Sequence, residues 1–200
     1  MRTDIHLASS SPRRYEILAA MGIRFTAAGV DIDETRYDGE PVTDMVVRLA
    51  VAKVGAARAT VDRSVPVLGA DTAVALDDHV LGKPESEGEA VEMLTFLSGR
   101  AHKVLTGVAL DYAGKIMSVM SVTEVRFREI RHDGASAYWQ SGEPRDKAGA
   151  YAVQGIGGIF VEYISGSYSG VVGLPVFETA ELLSKAGLVV LPLDVDRLHD

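Results

Sequence analysis

The order of elements in this sequence predicts an α/β fold built on a mixed β-sheet. Two observations carry that prediction. Short apolar runs with strand character alternate with stretches whose apolar residues recur every three or four positions, as on one face of a helix. Helix starters and stoppers bracket those stretches: Pro12 with Gly22, Ser86 and Glu89 with Gly99, Pro175 with Gly187.

Taken in order, Asp4 to Ala8 reads as a short strand, and Ser9, Ser10 and Ser11 as a turn-like loop. Pro12 suits the first position of a helix running to about Met21. Val30 to Pro41 is acidic and turn-rich, and a second helix follows from about Thr43 to Ala59. Val65 to Leu76 is an apolar strand, expected to break at Gly69 and Asp71. Ser86 and Glu89 form a capping box for a third helix, which Gly99 ends. Strands are expected over Ala101 to Tyr112 and Lys115 to Ile130. In the second of these Val125 and Phe127 alternate with Glu124, Arg126 and Arg128, which predicts one wet face. A short helix is expected from about Gly134 to Ser141. The glycine-rich stretch that follows predicts strands at Gly158 to Ile164 and around Gly170 to Val172, before Pro175 opens the last helix. There is no internal repeat and no clear linker, so residues 1–200 read as one unit. Residues 188–200 form a tail with no assignable role.

Composition narrows the chemistry. The chain has 200 residues, 47% hydrophobic and 24% charged, which is ordinary globular usage. It has no cysteine, which excludes disulfides, thiolate metal sites and cysteine nucleophiles. Met1 to His6 is polar and no long apolar run follows it, so a cytoplasmic protein with no membrane partner is expected. The formal net charge of −8 repels phosphate backbones, and no stable nucleic-acid partner is expected. A small polyanion remains open, provided cations gather around it locally.

Several residues look chemical. Arg13 and Arg14 follow three serines at a predicted helix start, where positive charge is locally unfavourable. An anion held by backbone N–H groups, serine hydroxyls and guanidinium forks would resolve the conflict, though a serine cap with two solvated arginines fits the same letters. Lys53 falls on the apolar arc of the second helix, between Val46 and Leu49 and near Ala57, with Arg48 and Arg58 opposite. It needs a partner or an opening into a cleft, unless its stem snorkels to the surface. Asp71 lies inside an apolar run among small residues, where a carboxylate can hold a metal ion or take a proton from water; burial of the surrounding run favours this over a turn or cap aspartate. Lys83, in Gly82-Lys83-Pro84, precedes a helix and by itself says little. Asp31, Asp33 and Glu34 form an acidic cluster, either plain surface or a source of oxygen ligands for Mg²⁺ or Mn²⁺. The stretch Glu143 to Tyr151, followed by Gln154-Gly155-Ile156-Gly157-Gly158, permits close backbone approach to a ligand, as plain turns would. No GxxxxGK[ST], GxGxxG or GxSxG occurs, and the histidines show no metal spacing and read mostly as surface residues.

Together these segments resemble the Maf family. The resemblance rests on Leu7-Ala8-Ser9-Ser10-Ser11-Pro12-Arg13-Arg14, Gly69-Ala70-Asp71-Thr72, Gly82-Lys83-Pro84, Leu97-Ser98-Gly99, Asp146-Lys147-Ala148-Gly149-Ala150-Tyr151 and Gln154-Gly155, in the family's order and spacing. It covers roughly Ile5 to Ala186. The resemblance implies an elongated mixed sheet flanked by helices, two lobes with a central cleft (a Maf/ITPase-like fold), and a homodimer. It implies hydrolysis of a nucleoside triphosphate to the monophosphate and pyrophosphate with a divalent cation, Mg²⁺ or Mn²⁺, as cofactor. Asp71 matches the proton acceptor and Glu34 a further polar position of the cleft; the two together are expected to hold the cation. Arg13, Thr72 and Gln154 match the set that separates the dTTP/UTP type from relatives preferring 7-methyl-GTP. Ser9, Arg14, Lys53 and Lys83 match further polar positions of the cleft. A non-catalytic nucleotide or nucleic-acid binding regulator of cell division, and a pyrophosphatase for a modified purine triphosphate, are the competing expectations.

Overall fold

The structure, a computed structural model, describes residues 5–188. Seven strands form one sheet: β1 (Ile5–Ala8), β2 (Phe25–Ala28), β3 (Val67–Leu76), β4 (His79–Leu81), β5 (Ala101–Tyr112), β6 (Lys115–Phe127) and β7 (Val161–Ser165). Their order is β2-β1-β3-β5-β6-β7, with β4 paired to β3. β1 runs parallel to β2 and β3, while β4, β5, β6 and β7 pair antiparallel to their neighbours, so the sheet is mixed as expected. The helices are α1 (Pro12–Ala20), α2 (Val42–Arg58), α3 (Glu87–Leu97), α4 (His132–Gln140), α5 (Tyr168–Val172) and α6 (Val176–Lys185).

β3 is the central strand, and it is not broken. Gly69 and Asp71 lie within a continuous ladder to β5, with Gly69 opposite Ala109 and Asp71 opposite Gly107. The glycines are there for the helix rather than for a turn. A Cβ on Gly107 would lie 2.4 Å from the Val46 carbonyl oxygen, and one on Gly69 2.9 Å from that of Ala50. Two bare positions on adjacent strands thus let the α2 backbone rest almost directly on the sheet. Residues with the same strand parity share a face, so Gly69, Asp71, Ala73 and Ala75 all look towards α2. The helix answers with Met45, Val46, Leu49, Ala50, Lys53, Val54 and Ala57, all buried at three- and four-residue spacing. Arg48 and Arg58 lie outside this stripe, held by Glu40 at 2.6 Å and Asp111 at 2.7 Å.

The opposite face of β3 and β5 carries Leu68, Ala70, Val108 and Leu110 against Leu18 of α1 and Leu182 and Leu183 of α6. A third group, with Leu94, Leu97, Phe127, Tyr138 and Phe160, joins α3 and α4 to the far end of the sheet. Val125 and Phe127 are buried and Glu124 is exposed, which matches the wet face expected of β6. Among the described residues, no helix is long and apolar enough to cross a membrane. The tail from residue 189 onward lies outside the described residues.

Two expectations fail near the end of the chain. Gly170 to Val172 is helical: Ser167 caps α5 by accepting from the Gly170 N–H at 3.0 Å, which turns a β-prone sequence into a single helical turn. Gly158 to Phe160 belongs to a 3₁₀ segment, Ile156–Phe160, and strand β7 begins only at Val161.

One histidine departs from the surface placement expected of most of them. His102 is 2% exposed, stacked edge-on against Phe127 and Tyr151, with Nε2 2.8 Å from the Tyr151 hydroxyl. Burial lowers its pKa from 6.5 to about 4. The unfolded chain therefore takes up this proton first, and stability falls as pH drops from 6.5 towards 4. The expected loss from this residue is roughly 3 kcal/mol by pH 4. Denaturant titrations of wild type and His102→Gln at pH 7 and pH 4 test this. The stability gap between the two should narrow on acidification, and parallel pH curves would contradict it.

Candidate active site

The site lies where one edge of β3 has no strand beside it. β5 covers the other edge continuously from Val67 to Ala75. On the free edge, β1 pairs only at Val67 and Leu68, and β4 only from Val74 to Leu76. Gly69 to Ala73 lies between, and a cavity of about 690 Å³ opens there, within the range of small-molecule sites. The nine side chains assigned to the cleft by the family resemblance all line it: Ser9, Arg13, Arg14, Glu34, Lys53, Asp71, Thr72, Lys83 and Gln154. Asp31 and Asp33 do not, so the acidic cluster contributes only Glu34.

Lys53 is 9% exposed and Asp71 8%. The Lys53 Nζ lies 2.6 Å from Asp71 Oδ1 and 2.7 Å from Glu34 Oε1. One ammonium therefore joins a carboxylate on the central strand to one on the loop before α2. Burial raises the Glu34 pKa, but the hydrogen bond and charge of Lys53, helped by Lys83 and Arg14, outweigh it and hold the group below its ordinary value. The loop is fixed on either side of Glu34: the Thr35 N–H donates to Asp33 Oδ1 at 2.9 Å, and Arg48 Nη2 donates to the Thr35 carbonyl at 3.0 Å.

The two arginines of α1 part company. Arg14 turns inward, donating from Nε to the Gly173 carbonyl at 2.8 Å, from Nη1 to Ser9 Oγ at 3.2 Å and from Nη2 to Thr72 Oγ1 at 3.3 Å. Arg13 spans to Asp146, Nη1 to Oδ2 at 3.2 Å. No side chain caps α1, and Pro12 has no N–H; the residues of its first turn, Pro12 to Arg14, line the cavity without a side-chain cap.

The hydroxyls can be assigned by counting donors. Thr106 Oγ1 donates to the Gly170 carbonyl at 2.8 Å, so its 2.9 Å contact with Thr72 Oγ1 uses the Thr72 proton. Thr72 thus spends its proton inside the protein and accepts from Arg14. Ser9 is the reverse: its oxygen accepts from the Ser11 N–H and from Arg14, both at 3.2 Å, which leaves its proton to offer.

Lys83 and Gln154 are exposed along the cavity wall. Sequence reasoning gave no role to Asp146 and Lys147, although both sit in a quoted segment and line the cavity. Lys147 Nζ contacts Asp146 and donates to the Glu143 carbonyl at 3.2 Å. Thr106 was also passed over. A polar residue close to a glycine within an apolar strand was the available signal, much as at Asp71. Among the described residues, no group of three or more His, Asp or Glu gathers in metal-binding fashion. The pair Asp71 and Glu34 offers only hard carboxylate oxygens. That suits an ion which keeps water and phosphate as its other ligands, as Mg²⁺ does.

Residues 4–186 match the family described as Maf-like protein. A relative from Methylobacillus flagellatus, named dTTP/UTP pyrophosphatase, is 47% identical over 94% of this chain and 95% of its own length. Relatives of the same name from Pseudoalteromonas translucida and Escherichia coli O157:H7 are 49% and 48% identical, over 92% and 91% of this chain and 97% and 92% of their own lengths. Among solved structures, the Ham1 protein of Staphylococcus aureus overlaps 62% of this chain and 72% of its own, at TM-score 0.46 and 14% identity. With its family matched over nearly the whole described length and with relatives this similar end to end, the chain belongs to the Maf-like protein family.

Proposed function

We propose that this chain hydrolyses dTTP and UTP to the monophosphate and pyrophosphate in the cleft beside β3. One observation carries the reading. In a chain of net charge −8, the cavity gathers six cationic residues (Arg13, Arg14, Arg36, Lys53, Lys83, Lys147) against three carboxylates (Glu34, Asp71, Asp146). That local inversion of charge fits a small polyanion. The names of the relatives support the choice of nucleotide.

Asp71 is the proton acceptor in this reading. Lys53 engages Oδ1, which leaves Oδ2 to take the proton of the attacking water. Arg13, Lys83, the spare N–H groups of Arg14 and the Ser9 proton bind the phosphates and the departing pyrophosphate. Asp71 and Glu34 would hold Mg²⁺ or Mn²⁺. Such an ion neutralises phosphate charge and lowers the pKa of a water bound to it. Gln154 offers both a donor and an acceptor to the pyrimidine edge. Thr72 takes a different part from direct base contact, since its proton is committed to Thr106 and its oxygen orients Arg14. The homodimer rests on the family resemblance, and the cytoplasmic location on the composition of the sequence.

The test of this reading is product analysis with dTTP, UTP, CTP and purine triphosphates in Mg²⁺ or Mn²⁺. Pyrophosphate and dTMP or UMP are expected. Orthophosphate with a diphosphate would overturn the reading, preference for a purine triphosphate would move the chain to another substrate type, and no turnover at all would favour a nucleotide-binding regulator.

Asp71→Asn should fold, because Lys53 keeps Glu34 as its counter-charge. Its turnover should drop by about 10²-fold or more, the scale of a lost general base, while nucleotide binding measured by calorimetry persists. Near-normal turnover would place the base elsewhere, with Glu34 the next candidate.

A further inference from the structure

Gln154 lies in a turn that side chains hold in place. The turn closes by the Gly155 N–H donating to the Ala152 carbonyl at 3.3 Å. Just beyond it, the Ile156 N–H donates to Glu143 Oε2 and the Gly157 N–H to Glu143 Oε1, each at 2.9 Å. The Tyr138 hydroxyl donates to Glu143 Oε1 at 2.6 Å and accepts from the Ala152 N–H at 3.1 Å. One carboxylate and one phenol thus grip the backbone on both sides of Gln154. The chain is collapsed onto them: a Cβ on Gly155 would lie 2.1 Å from Glu143 Oε2, and one on Gly157 2.4 Å from the Tyr138 oxygen. Glu143 also begins the 3₁₀ segment Glu143–Asp146, whose last residue pairs with Arg13 across the cleft.

We propose that Glu143 is a positioning residue for base selection: its carboxylate fixes the turn that presents the Gln154 amide to the base, without itself touching the nucleotide. The proposal rests on the reading of Gln154 as the group that meets the pyrimidine edge. A base is distinguished by an amide only if that amide is held still, because a mobile one can rotate to offer either end. Three N–H groups anchored to these side chains between Ala152 and Gly157 supply that rigidity.

The experiment compares kcat/KM for dTTP, UTP and CTP in wild type, Glu143→Gln, Tyr138→Phe, Gln154→Ala and the Glu143→Gln/Gln154→Ala double variant, each first checked for folding by circular dichroism. Glutamine keeps the shape but turns an N–H donor towards a backbone N–H, so one anchor is lost. Glu143→Gln should lower the dTTP:CTP preference roughly tenfold, the worth of about one hydrogen bond to a charged group. The loss should fall mainly in KM for dTTP and UTP, with pyrophosphate still the product. Tyr138→Phe should move the preference the same way by less. The double variant should show the preference of Gln154→Ala alone, because Glu143 acts through Gln154. An equal fall for all three nucleotides in Glu143→Gln would make Glu143 merely structural and overturn the proposal. Should Glu143→Gln not fold, an unchanged preference in Tyr138→Phe overturns it. If Gln154→Ala itself leaves the preference intact, the base reading fails first and the proposal falls with it.

Discussion

Burying the Lys53 ammonium against β3 is tolerable only because Asp71 lies 2.6 Å from it and Glu34 2.7 Å from it. An uncompensated charge at that depth would cost several kcal/mol. Much of the neighbouring architecture serves this contact. Gly69 and Gly107 give up their side chains so that α2 reaches the sheet closely enough for Lys53 to meet a carboxylate on the strand beneath. The free edge of β3 between β1 and β4 opens the same spot to the cavity. The loop carrying Glu34 is tied down by Arg48 and an Asx turn, so the second carboxylate arrives at the same ammonium. Packing, topology and charge therefore converge on three side chains.

A second layer orients the cations. Arg14 spends three donors on the protein and is held in one pose by Ser9, Thr72 and the Gly173 carbonyl. The Thr72 hydroxyl is in turn fixed by Thr106 and through it by the Gly170 carbonyl. α5 and the residue after it thus act on the far side of the cleft by presenting two backbone carbonyls. Burial lowers the Arg14 pKa and Asp71 opposes the shift, so the carboxylate favours the charged form of the guanidinium beside it.

The sequence made part of this legible. The helical wheel placed Lys53 on the buried arc of α2, and the structure supplies its partners. Asp71 stood out because a carboxylate in an apolar run must be compensated. The run was still misread as broken, since a single strand's letters cannot show that a helix will lie against its glycines. α5 was misread because Val171 and Val172 favour strands, whereas the Ser167 cap and Thr106 decide the outcome through contacts made only in three dimensions. β2 and β4 escaped notice because four and three residues carry no periodicity. Thr72 was recognised by resemblance, but its commitment to Arg14 and Thr106 depends on residues far apart in the chain. The grip of Glu143 on the Gln154 turn is invisible without coordinates for the same reason.

The account's central claim is that Lys53 and Asp71 work as one unit in turnover. A double-mutant cycle on kcat tests it, using Lys53→Met, Asp71→Asn and the two combined. Methionine keeps an apolar stem of similar length and removes the charge. The account predicts that the combined variant is about as slow as Asp71→Asn alone, because an ammonium that orients a carboxylate has nothing left to orient once that carboxylate is gone. Losses that multiply independently would mean that Lys53 and Asp71 serve the reaction separately, and would contradict it.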